Sequence, residues 1–433
     1  MIRRYGTQQA LLLLLGDLAA YTLALWLTLL LRYWTFPSGA AFLSHLYPFG
    51  FVFLIWVIVF FIADLYGRQS SSFDSRLAET VINAQLAGSL LTIVFFYYVP
   101  FFSITPKVTL FIDLFLSLGL VFIWRRYGSR SLRRGRVENY LFHCRGSEVE
   151  ELKRELARNQ KYQISLVNHS GSLATLEPQL ISTLVLNFYD HRTPPEAAAC
   201  YRLMVAGVEV VSVHRLYEEV FGRIPLTVIS EQWFLDYIEY DAGLTYRLFK
   251  RLMDFVTGLV FALVSLPLYP LITLAIWWGD RGPIFYREER VGRGGRIFQI
   301  AKFRSMTTEA NLSERQVTPV GHFLRRTRLD ELPQLWSVVM GQQSLIGPRP
   351  ERPEYVAVYN QQISYYQARH LITPGLSGWA QIYQASHPHF RLALDQTREK
   401  LSYDLYYIKN RSLWLDITIA LKTIKTLLSQ VGV

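Results

Sequence analysis

Cysteine is almost absent from this chain. Only Cys144 and Cys200 occur among its 433 residues, in unrelated sequence contexts, and we expect both to be buried thiols. Two thiols cannot form a framework of several disulfides or supply a cysteine-based zinc site. The nine histidines show no metal-ligand spacing, and His387 and His389 are typical of a polar loop. The sequence therefore argues against a disulfide-stabilised domain and gives no support for a zinc enzyme.

Acidic residues are outnumbered by basic ones. The chain has 34 aspartates and glutamates against 45 lysines and arginines, which gives a formal net charge of +11. Such a charge suits nucleic acid, anionic lipid or phosphorylated ligands. Because 51% of the residues are hydrophobic, we favour a membrane surface and phosphate ligands, and we expect no nucleic acid as a partner.

Charge is nearly missing from four N-terminal stretches. Each is close to the ~20 apolar residues that a helix needs to cross a bilayer. The first stretch lacks a small-residue cleavage site, so we expect it to be retained as a helix. The four predicted transmembrane helices cover roughly residues 9–31, 46–66, 81–102 and 108–124.

Basic residues flank these stretches unevenly. The positive-inside rule places the N-terminus, the middle loop and everything after residue 124 in the cytoplasm. The arginines that carry this prediction are Arg3 and Arg4 before the first stretch, Arg68 and Arg76 after the second, and six arginines between residues 125 and 136.

The region of residues 137–245 is less hydrophobic and alternates strand-like with helical segments. The strand-like runs cover residues 140–143, 164–167, 183–188 and 208–213, an order that predicts a small, parallel, Rossmann-like α/β domain. A dinucleotide site needs several glycines after the first strand, and only Gly146 is present there. We expect a scaffold that binds no cofactor, while a regulatory ligand stays open.

A fifth apolar stretch lies at residues 255–278. Lys250 and Arg251 precede it and further arginines follow it, and positive charge on both sides argues against crossing. Pro267 and Pro270 interrupt the helical hydrogen bonds near its middle. We predict a re-entrant helix over residues 250–278 that breaks at Pro267. The alternative is a fifth spanning helix with proline kinks, which would place the following motifs outside the cell.

Two further segments keep alternative interpretations. Residues 402–430 mix aromatic, aliphatic and basic residues, which suits either the headgroup layer of a membrane or packing against the protein core. The sequence VGRGGR at residues 291–296 is typical of a glycine-rich hairpin turn. Beside Arg293 and Arg296, its glycines could instead cradle a phosphate.

The densest group of chemically active side chains is RRTRLDELPQLW, residues 325–336. Asp330 and Glu331 directly follow three arginines, which keep a carboxylate ionised and can hold a diphosphate near it. Asp330 is therefore a candidate nucleophile. Two approaching anions repel unless charge is offset, so we expect Mg²⁺ on oxygen ligands here. The alternative is a surface helix with salt bridges.

Several motifs accompany this segment in a fixed order. They are GPIFYREERVGR at 282–293, KFRSM at 302–306, GPRP at 347–350 and PGLSGWAQ at 374–381. The combination strongly resembles the catalytic domain of the monotopic phosphoglycosyl transferases, or polyprenyl-phosphate hexose-1-phosphate transferases, over residues 246–428. The N-terminal helices, the α/β region and FGRIPL at 221–226 are similar to the long-form subgroup that starts exopolysaccharide and O-antigen synthesis.

The resemblance implies a role for each matching residue. Asp330 corresponds to the aspartate that forms a covalent phosphosugar intermediate, and Glu331 to its partner. The family's Mg²⁺ lies at this pair, with Asp330 as the metal-binding residue. Lys302, Arg325 and Arg349 correspond to cations that hold phosphate groups.

The entry to the hairpin also matches. KRLMD at residues 250–254 corresponds to the family's entry motif. Many relatives break the hairpin at Ser-Pro, whereas here Leu266 precedes Pro267 and the nearest serine is Ser265. A serine can bond the carbonyls that proline frees, so this departure affects the geometry of the break.

The expected architecture is a membrane protein of mixed α and α/β class. Residues 1–136 form four transmembrane helices, residues 137–245 a Rossmann-like cytoplasmic domain, and residues 246–433 an α-rich transferase domain with the re-entrant hairpin. By resemblance, the protein is a multi-pass enzyme of the bacterial inner membrane. The resemblance implies that it transfers a sugar-1-phosphate, most simply glucose or galactose, from a UDP-sugar to undecaprenyl phosphate on the cytoplasmic face.

Other functions and assemblies stay open at this stage. A non-enzymatic membrane scaffold for polysaccharide assembly would not need the carboxylate pair. A transporter would need the intramembrane Asp17 and Asp113 to be essential. A homodimer is plausible for such an assembly.

Overall fold

The computed structural model divides the chain into two compact units. It describes residues 2–63, 65–66, 75–98, 107–128, 137–159, 162–169, 171–190, 196–238, 243–308, 316–384 and 393–429. His387, His389, Arg68 and the arginines between residues 130 and 136 lie outside the described residues. The first unit comprises Met1–Leu141, Arg154–His169 and Gln179–Ser182, and the second comprises Phe142–Lys153, Ser170–Pro178 and Thr183–Val433.

Long apolar helices form most of the first unit. They are α1 (Ile2–Tyr33), α2 (Gly39–Ile62), α3 (Ser75–Tyr98) and α4 (Lys107–Ile123). Within the described ranges, three stretches have the length and hydropathy of a membrane span: Ala10–Tyr33, Gly39–Ile62 and Glu79–Phe96. The fourth predicted span, α4, has 17 residues and continues into a π-helical turn, Trp124–Gly128.

Aromatic packing and one buried ion pair hold this bundle together. Tyr21 meets Trp56 edge to face, with 5.1 Å between ring centroids. The Arg125 guanidinium donates to both carboxylate oxygens of Asp17, at 2.5 and 3.2 Å, and to the Leu65 carbonyl at 2.8 Å. Asp17 is therefore half of a buried ion pair, and it is not the lone charge that a transporter would require. Asp113 is also buried.

The α/β region contains the four predicted strands. These are β1 (Glu138–His143), β2 (Ile164–Val167), β3 (Thr183–Leu186) and β4 (Glu209–Ser212), with helices α5 (Ser147–Arg158), α6 (Ala197–Val205), α7 (Val213–Phe221) and α8 (Glu231–Tyr237). Strand β1 pairs with β2, and β3 with β4, both in parallel. Parallel pairs alternating with helices confirm the α/β class.

The start of α5 is covered by the protein's own chain. Gly146 precedes the helix with φ of +144°, at the place where a dinucleotide would present its pyrophosphate. The Glu148 carboxylate accepts the backbone N–H groups of Leu226 at 2.9 Å and Thr227 at 2.8 Å. An acidic side chain and a loop thus take the position that a bound phosphate would use.

Residues 221–225 join the α/β region to the C-terminal half. Arg223 pairs with Glu151 at 2.6 Å and with Glu399 at 3.2 Å. The Trp379 indole donates to the Gly222 carbonyl at 2.7 Å. These contacts connect the segment after α7 to α5 and to the helix that carries Glu399, α15 (Leu394–Asn410).

A pair of helices opens the C-terminal half, α9 (Leu244–Ser265) and α10 (Leu268–Asp280), with a 57° bend between them. Pro267 has no N–H to offer the Leu263 carbonyl, which instead accepts from Leu266. This leaves the Ala262 carbonyl to the Ser265 hydroxyl, which donates to it at 2.8 Å. Ser265 therefore satisfies the backbone at the break although it is not adjacent to the proline.

One face of α9 packs inward and the other is apolar and exposed. The buried face is a stripe of small residues that includes Gly258, Ala262 and Ser265. A Cβ atom on Gly258 would lie 3.1 Å from Val338, so the helices approach closely here. Val256 and Val264 on the outer side are 49% and 70% exposed, which leaves a surface suited to lipid.

The remaining elements build the site. Strands β5 (Phe285–Val291) and β6 (Ile297–Phe303) form an antiparallel hairpin, and β7 (Ser344–Ile346) pairs in parallel with β8 (Gly375–Ser377). The other helices are α11 (Pro319–Arg326), α12 (Gln334–Met340), α13 (Pro353–Gln362), α14 (Trp379–Tyr383) and α16 (Leu413–Ser429). Helix α15 packs into the core through Leu401, Leu405 and Ile408. Of the two interpretations of residues 402–430, the part that lies in α15 therefore agrees with packing against the protein core.

We expect Pro267→Ala to straighten the bent pair. An N–H at position 267 can bond the Leu263 carbonyl and continue α9 into α10. Pro270→Ala is the matched control, because Pro270 lies in the first turn of α10, where an N–H has no partner within the helix.

Spin labels at Phe249→Cys and Trp278→Cys measure the change by electron-electron distance. Both labels are placed in a variant in which the native Cys144 and Cys200 have been replaced. Cys144 is buried as predicted, whereas Cys200 is half-exposed, contrary to the sequence prediction. Straightening should lengthen the label distance by about 5 Å, from the helical rise per residue. An unchanged distance in Pro267→Ala would show that packing, and not the proline, sets the bend.

Candidate active site

A tight turn presents the carboxylate pair. Helix α11 begins at the Thr318 cap, whose hydroxyl accepts the Gly321 N–H at 2.9 Å. After the helix, Arg328 adopts a left-handed backbone with φ of 57°, and Asp330 and Glu331 follow in a 3₁₀ turn, Leu329–Glu331. Non-glycine residues in this conformation are uncommon and are enriched at functional sites.

Helix α11 also positions Arg325. A Cβ atom on Gly321 would overlap the Ser305 carbonyl, so only glycine permits this close approach to the segment after β6. The Arg325 guanidinium then reaches the Ser305 hydroxyl, donating at 2.9 Å. The RRTRLDE and KFRSM motifs are thus joined by a direct contact.

The predicted site residues meet at one cavity of about 450 Å³. Lys302, Arg325, Asp330 and Arg349 line it. Glu331 lies behind this lining, where its carboxylate accepts a hydrogen bond from Arg349. Residues from three separated motifs therefore come together around the Asp330 carboxylate.

Asp330 and Glu331 have opposite electrostatic environments. The Asp330 carboxylate makes no hydrogen bond or ion pair with any described residue. Burial, and then the neighbouring charge of Glu331, raises the pKa of Asp330 to about 6, against the opposing effect of nearby cations. The Asp330 carboxylate is therefore open and readily protonated.

Glu331 is held ionised. Burial alone would raise its pKa, but the charges of Arg349 and Lys302 outweigh burial and hold that pKa well below its ordinary value. Lys302 lies 3.7 Å from the Glu331 carboxylate, and Arg328 lies 3.7 Å from its other oxygen. Three cations thus share one carboxylate.

Glu288 is a second shared carboxylate that the sequence did not single out. Arg290 lies 2.5 Å from it, Arg352 3.0 Å and Lys302 3.4 Å. Burial opposes its ionisation, but Lys302 and Arg290 lower the pKa of Glu288 overall. Glu288 therefore fixes three cations on the cavity wall. Its place in the GPIFYREERVGR motif is the only sequence signal for this role.

A buried ionic network supports the wall from behind. Arg369 donates to Asp404 at 2.9 Å and to the Arg349 backbone carbonyl at 2.8 Å. Lys400 of α15 donates to Glu351, and Arg369 lies 3.8 Å from the same carboxylate. Burial opposes ionisation of Glu351, but Lys400 and Arg369 lower its pKa to about 2. The network ties α15 to the segment that carries Arg349.

Positive charge dominates the cavity. Of the described residues that line it, eight are cationic and three are anionic, a difference of five positive charges. Guanidinium groups bind phosphate oxygens with matched geometry, so the cavity suits a diphosphate. The lining cations are Arg290, Lys302, Arg304, Arg325, Arg328, Arg349, Arg352 and Lys400.

The donor set also fits Mg²⁺. The part of the chain that the structure describes holds no group of three or more potential ligands among His, Cys, Asp and Glu. Mg²⁺ is commonly bound by one or two carboxylates together with substrate phosphates. Since Glu331 is engaged by cations, the open Asp330 carboxylate is the group available to such an ion.

Known proteins resemble part of this chain. A family described as bacterial sugar transferase matches residues 245–430. A UDP-N-acetylgalactosamine-undecaprenyl-phosphate N-acetylgalactosaminephosphotransferase of Aeromonas hydrophila is 36% identical over 243 residues, 53% of this chain and 55% of that protein. A UDP-glucose:undecaprenyl-phosphate glucose-1-phosphate transferase of Xanthomonas campestris pv. campestris is 37% identical over 192 residues, 42% of this chain and 39% of that protein.

A shorter relative is covered more completely. A UDP-glucose:undecaprenyl-phosphate glucose-1-phosphate transferase of Caulobacter vibrioides is 37% identical over 188 residues, 42% of this chain and 70% of that protein. This chain belongs to the bacterial sugar transferase family. This chain spans about half or less of the longer relatives. The family match at residues 245–430 contains every residue of the site described above.

We expect Arg369→Met to lower the stability of the protein strongly. Removing one partner of a buried ion pair costs about 3–5 kcal/mol, because the remaining charges stay buried. Arg398→Met is the control: Arg398 pairs with Asp395 at 3.2 Å on the surface, where both side chains are exposed, and such pairs contribute at most about 1 kcal/mol. Thermal unfolding of the full chain in detergent, followed by near-UV circular dichroism, measures both. Equal midpoints would contradict a structural role for the network.

Proposed function

We propose that the protein transfers a sugar-1-phosphate from a UDP-sugar to undecaprenyl phosphate, starting the synthesis of an exopolysaccharide, capsule or O-antigen. The observation that carries this proposal is the open carboxylate of Asp330 in a cavity with a surplus of five positive charges. The names of the relatives supply the substrate classes. Glucose or galactose is the simplest choice of sugar.

In the first half-reaction, an Asp330 oxygen attacks the sugar-bearing phosphorus of the donor. The bond from that phosphorus to the bridging oxygen breaks, and UMP leaves with the electron pair. The product is an acyl phosphate that links the Asp330 carboxyl to the sugar phosphate. Lys302, Arg325 and Arg349 face the phosphates and stabilise the charge that moves to the leaving group.

In the second half-reaction, a phosphate oxygen of undecaprenyl phosphate attacks the same phosphorus. The bond to Asp330 breaks, the carboxylate is restored, and undecaprenyl-diphosphate-sugar is released. Two steps allow a soluble donor and a lipid acceptor to use one site in turn. A bound Mg²⁺ would be held by Asp330 and would offset phosphate charge.

The bent helix pair completes the proposal. We interpret α9 and α10 as a re-entrant hairpin in the bacterial inner membrane, with the cavity on the cytoplasmic face. The exposed apolar side of α9 and the basic residues at both ends of the pair support this interpretation. The acceptor lipid can then approach the cavity from the bilayer.

We expect Asp330→Asn to lower UMP release at least ~10³-fold, because the amide cannot act as the nucleophile. Asp395→Asn, at an aspartate that is 96% exposed on α15, should keep wild-type activity. The assay uses purified full-length protein, Mg²⁺, undecaprenyl phosphate and a panel of UDP-sugars.

The same variants test the covalent step. Without the lipid, wild-type protein should retain label from a UDP-[¹⁴C]sugar, and hydroxylamine should release it as it does from an acyl phosphate. Asp330→Asn should retain none. UMP release by folded Asp330→Asn at the wild-type rate would refute the nucleophile, and no release by the wild type from any donor would favour a scaffold.

The first half-reaction should slow below about pH 6. Only ionised Asp330 reacts, and its pKa of about 6 means that the reactive form is lost as the pH falls through that value, tenfold per unit below it. Glu331→Gln removes a charge that raises the Asp330 pKa. In this variant, the acid limb of the pH–rate profile, where the rate falls with falling pH, should therefore move to lower pH. Rapid-quench measurement of the UMP burst between pH 4.5 and 8 follows both.

Glu289→Gln is the matched control for this shift. Glu289 is exposed, on the face of β5 opposite to Glu288 because side chains alternate along a strand. The acid limb of the Glu289→Gln variant should coincide with that of the wild type. An unmoved limb in Glu331→Gln would assign the pH dependence to another group.

A further inference from the structure

A second cavity, of about 260 Å³, lies at the start of α9. No residue lines both this cavity and the one that contains Asp330. Its described lining has five cations and one carboxylate, Asp254, a surplus of four positive charges. The cations are Arg247, Lys250, Arg251, Arg293 and Arg411.

Gln343 lines this cavity with a buried amide whose hydrogen-bonding atoms have no partner among the described residues. Its side chain is 1% exposed and lines the cavity. Neither its amide nitrogen nor its amide oxygen has a hydrogen-bond partner among the described residues. A buried amide without partners is costly, so the pair of free atoms indicates a ligand that accepts one hydrogen bond and donates another.

Structural partners hold Lys250 and Arg251. Lys250 donates to the Ile346 carbonyl at 3.1 Å. Arg251 donates to the carbonyls of Val338 at 2.8 Å and Val339 at 2.7 Å, at the end of α12. These contacts anchor α9, so these two side chains are not the cations that we expect to meet a ligand.

Arg293 is the cation best placed to do so. It lies in the turn between β5 and β6, where Gly294 and Gly295 have φ of 67° and 75°, so the VGRGGR motif is a glycine-rich hairpin turn. The Arg293 guanidinium is exposed and makes no hydrogen bond or ion pair with any described residue. The turn therefore extends an unpaired positive charge to the cavity that Gln343 lines.

The surroundings of the cavity are those of a membrane boundary. Tyr246 of α9 donates to Asp416 of α16 at 3.0 Å, so the first turns of the two helices meet at this cavity. In these first turns, Leu248 is 61% exposed and Trp414 is 67% exposed. Tryptophan and arginine together are typical of the headgroup layer. This step rests on the proposed membrane hairpin.

We propose that this cavity binds the phosphate group of a membrane lipid, as a site separate from the Asp330 cavity. The Arg293 guanidinium and the Gln343 amide nitrogen donate to the phosphate oxygens. The Gln343 amide oxygen accepts a headgroup hydroxyl, of the kind that phosphatidylglycerol carries. The bound lipid then fixes the start of the hairpin at the membrane surface.

Native mass spectrometry of the full chain, released from detergent micelles, tests the site. The probes are phosphatidylglycerol, undecaprenyl phosphate and inorganic phosphate, each added alone and then in competition. Arg293→Gln and Gln343→Leu should each weaken binding of one lipid molecule about tenfold or more, since each removes contacts to the phosphate. Arg296→Gln and Gln342→Leu, exposed neighbours that do not line the cavity, should bind as the wild type does.

Each outcome decides the proposal. Loss of phosphatidylglycerol or undecaprenyl phosphate binding in the two cavity variants, but not in their neighbours, supports it, and competition between the lipids shows which one occupies the site. Equal lipid binding by all variants overturns it. Binding of inorganic phosphate by a protein that binds neither lipid also overturns it. Asp330→Asn should bind lipid normally here, so this result is independent of the transfer reaction.

Discussion

The ion pair between Arg349 and Glu331 is the interaction on which the site depends. Two adjacent buried carboxylates would repel each other, and the pair removes this conflict by committing one of them to cations. Asp330 is thereby left as the carboxylate with open oxygens. The same guanidinium faces the cavity, so one arginine both restrains Glu331 and presents positive charge to the cavity.

Shared carboxylates give the cationic wall its rigidity. Glu288 and Glu331 each hold three cations, while Glu351 and Asp404 anchor Arg369 behind the wall. Cations fixed in this way need little rearrangement when negative charge shifts during a reaction. Long arginine and lysine side chains on an unpaired surface would have to be ordered at that moment, at an entropic cost.

Local patterns in the sequence predicted much of this structure, because periodicity, prolines and compact motifs act over short distances. Strand β2 has the predicted bounds, and the helix break falls at Pro267. Pro270 was misjudged as a breaker because its place in the first turn of α10 depends on where that helix begins. The sequence analysis missed the supporting residues Lys400 and Arg369 because their ion-pair partners lie far away in the chain. No local sequence pattern indicates such a distant partner.

Arg328 shows what this arrangement costs. A left-handed backbone disfavours an arginine by roughly 1–2 kcal/mol, and glycine would adopt it freely. The position nevertheless carries a guanidinium 3.7 Å from Glu331. Selection for heat resistance alone would favour glycine here, so a library screened only for survival at high temperature should drift away from arginine at this turn and lose charge from the cavity.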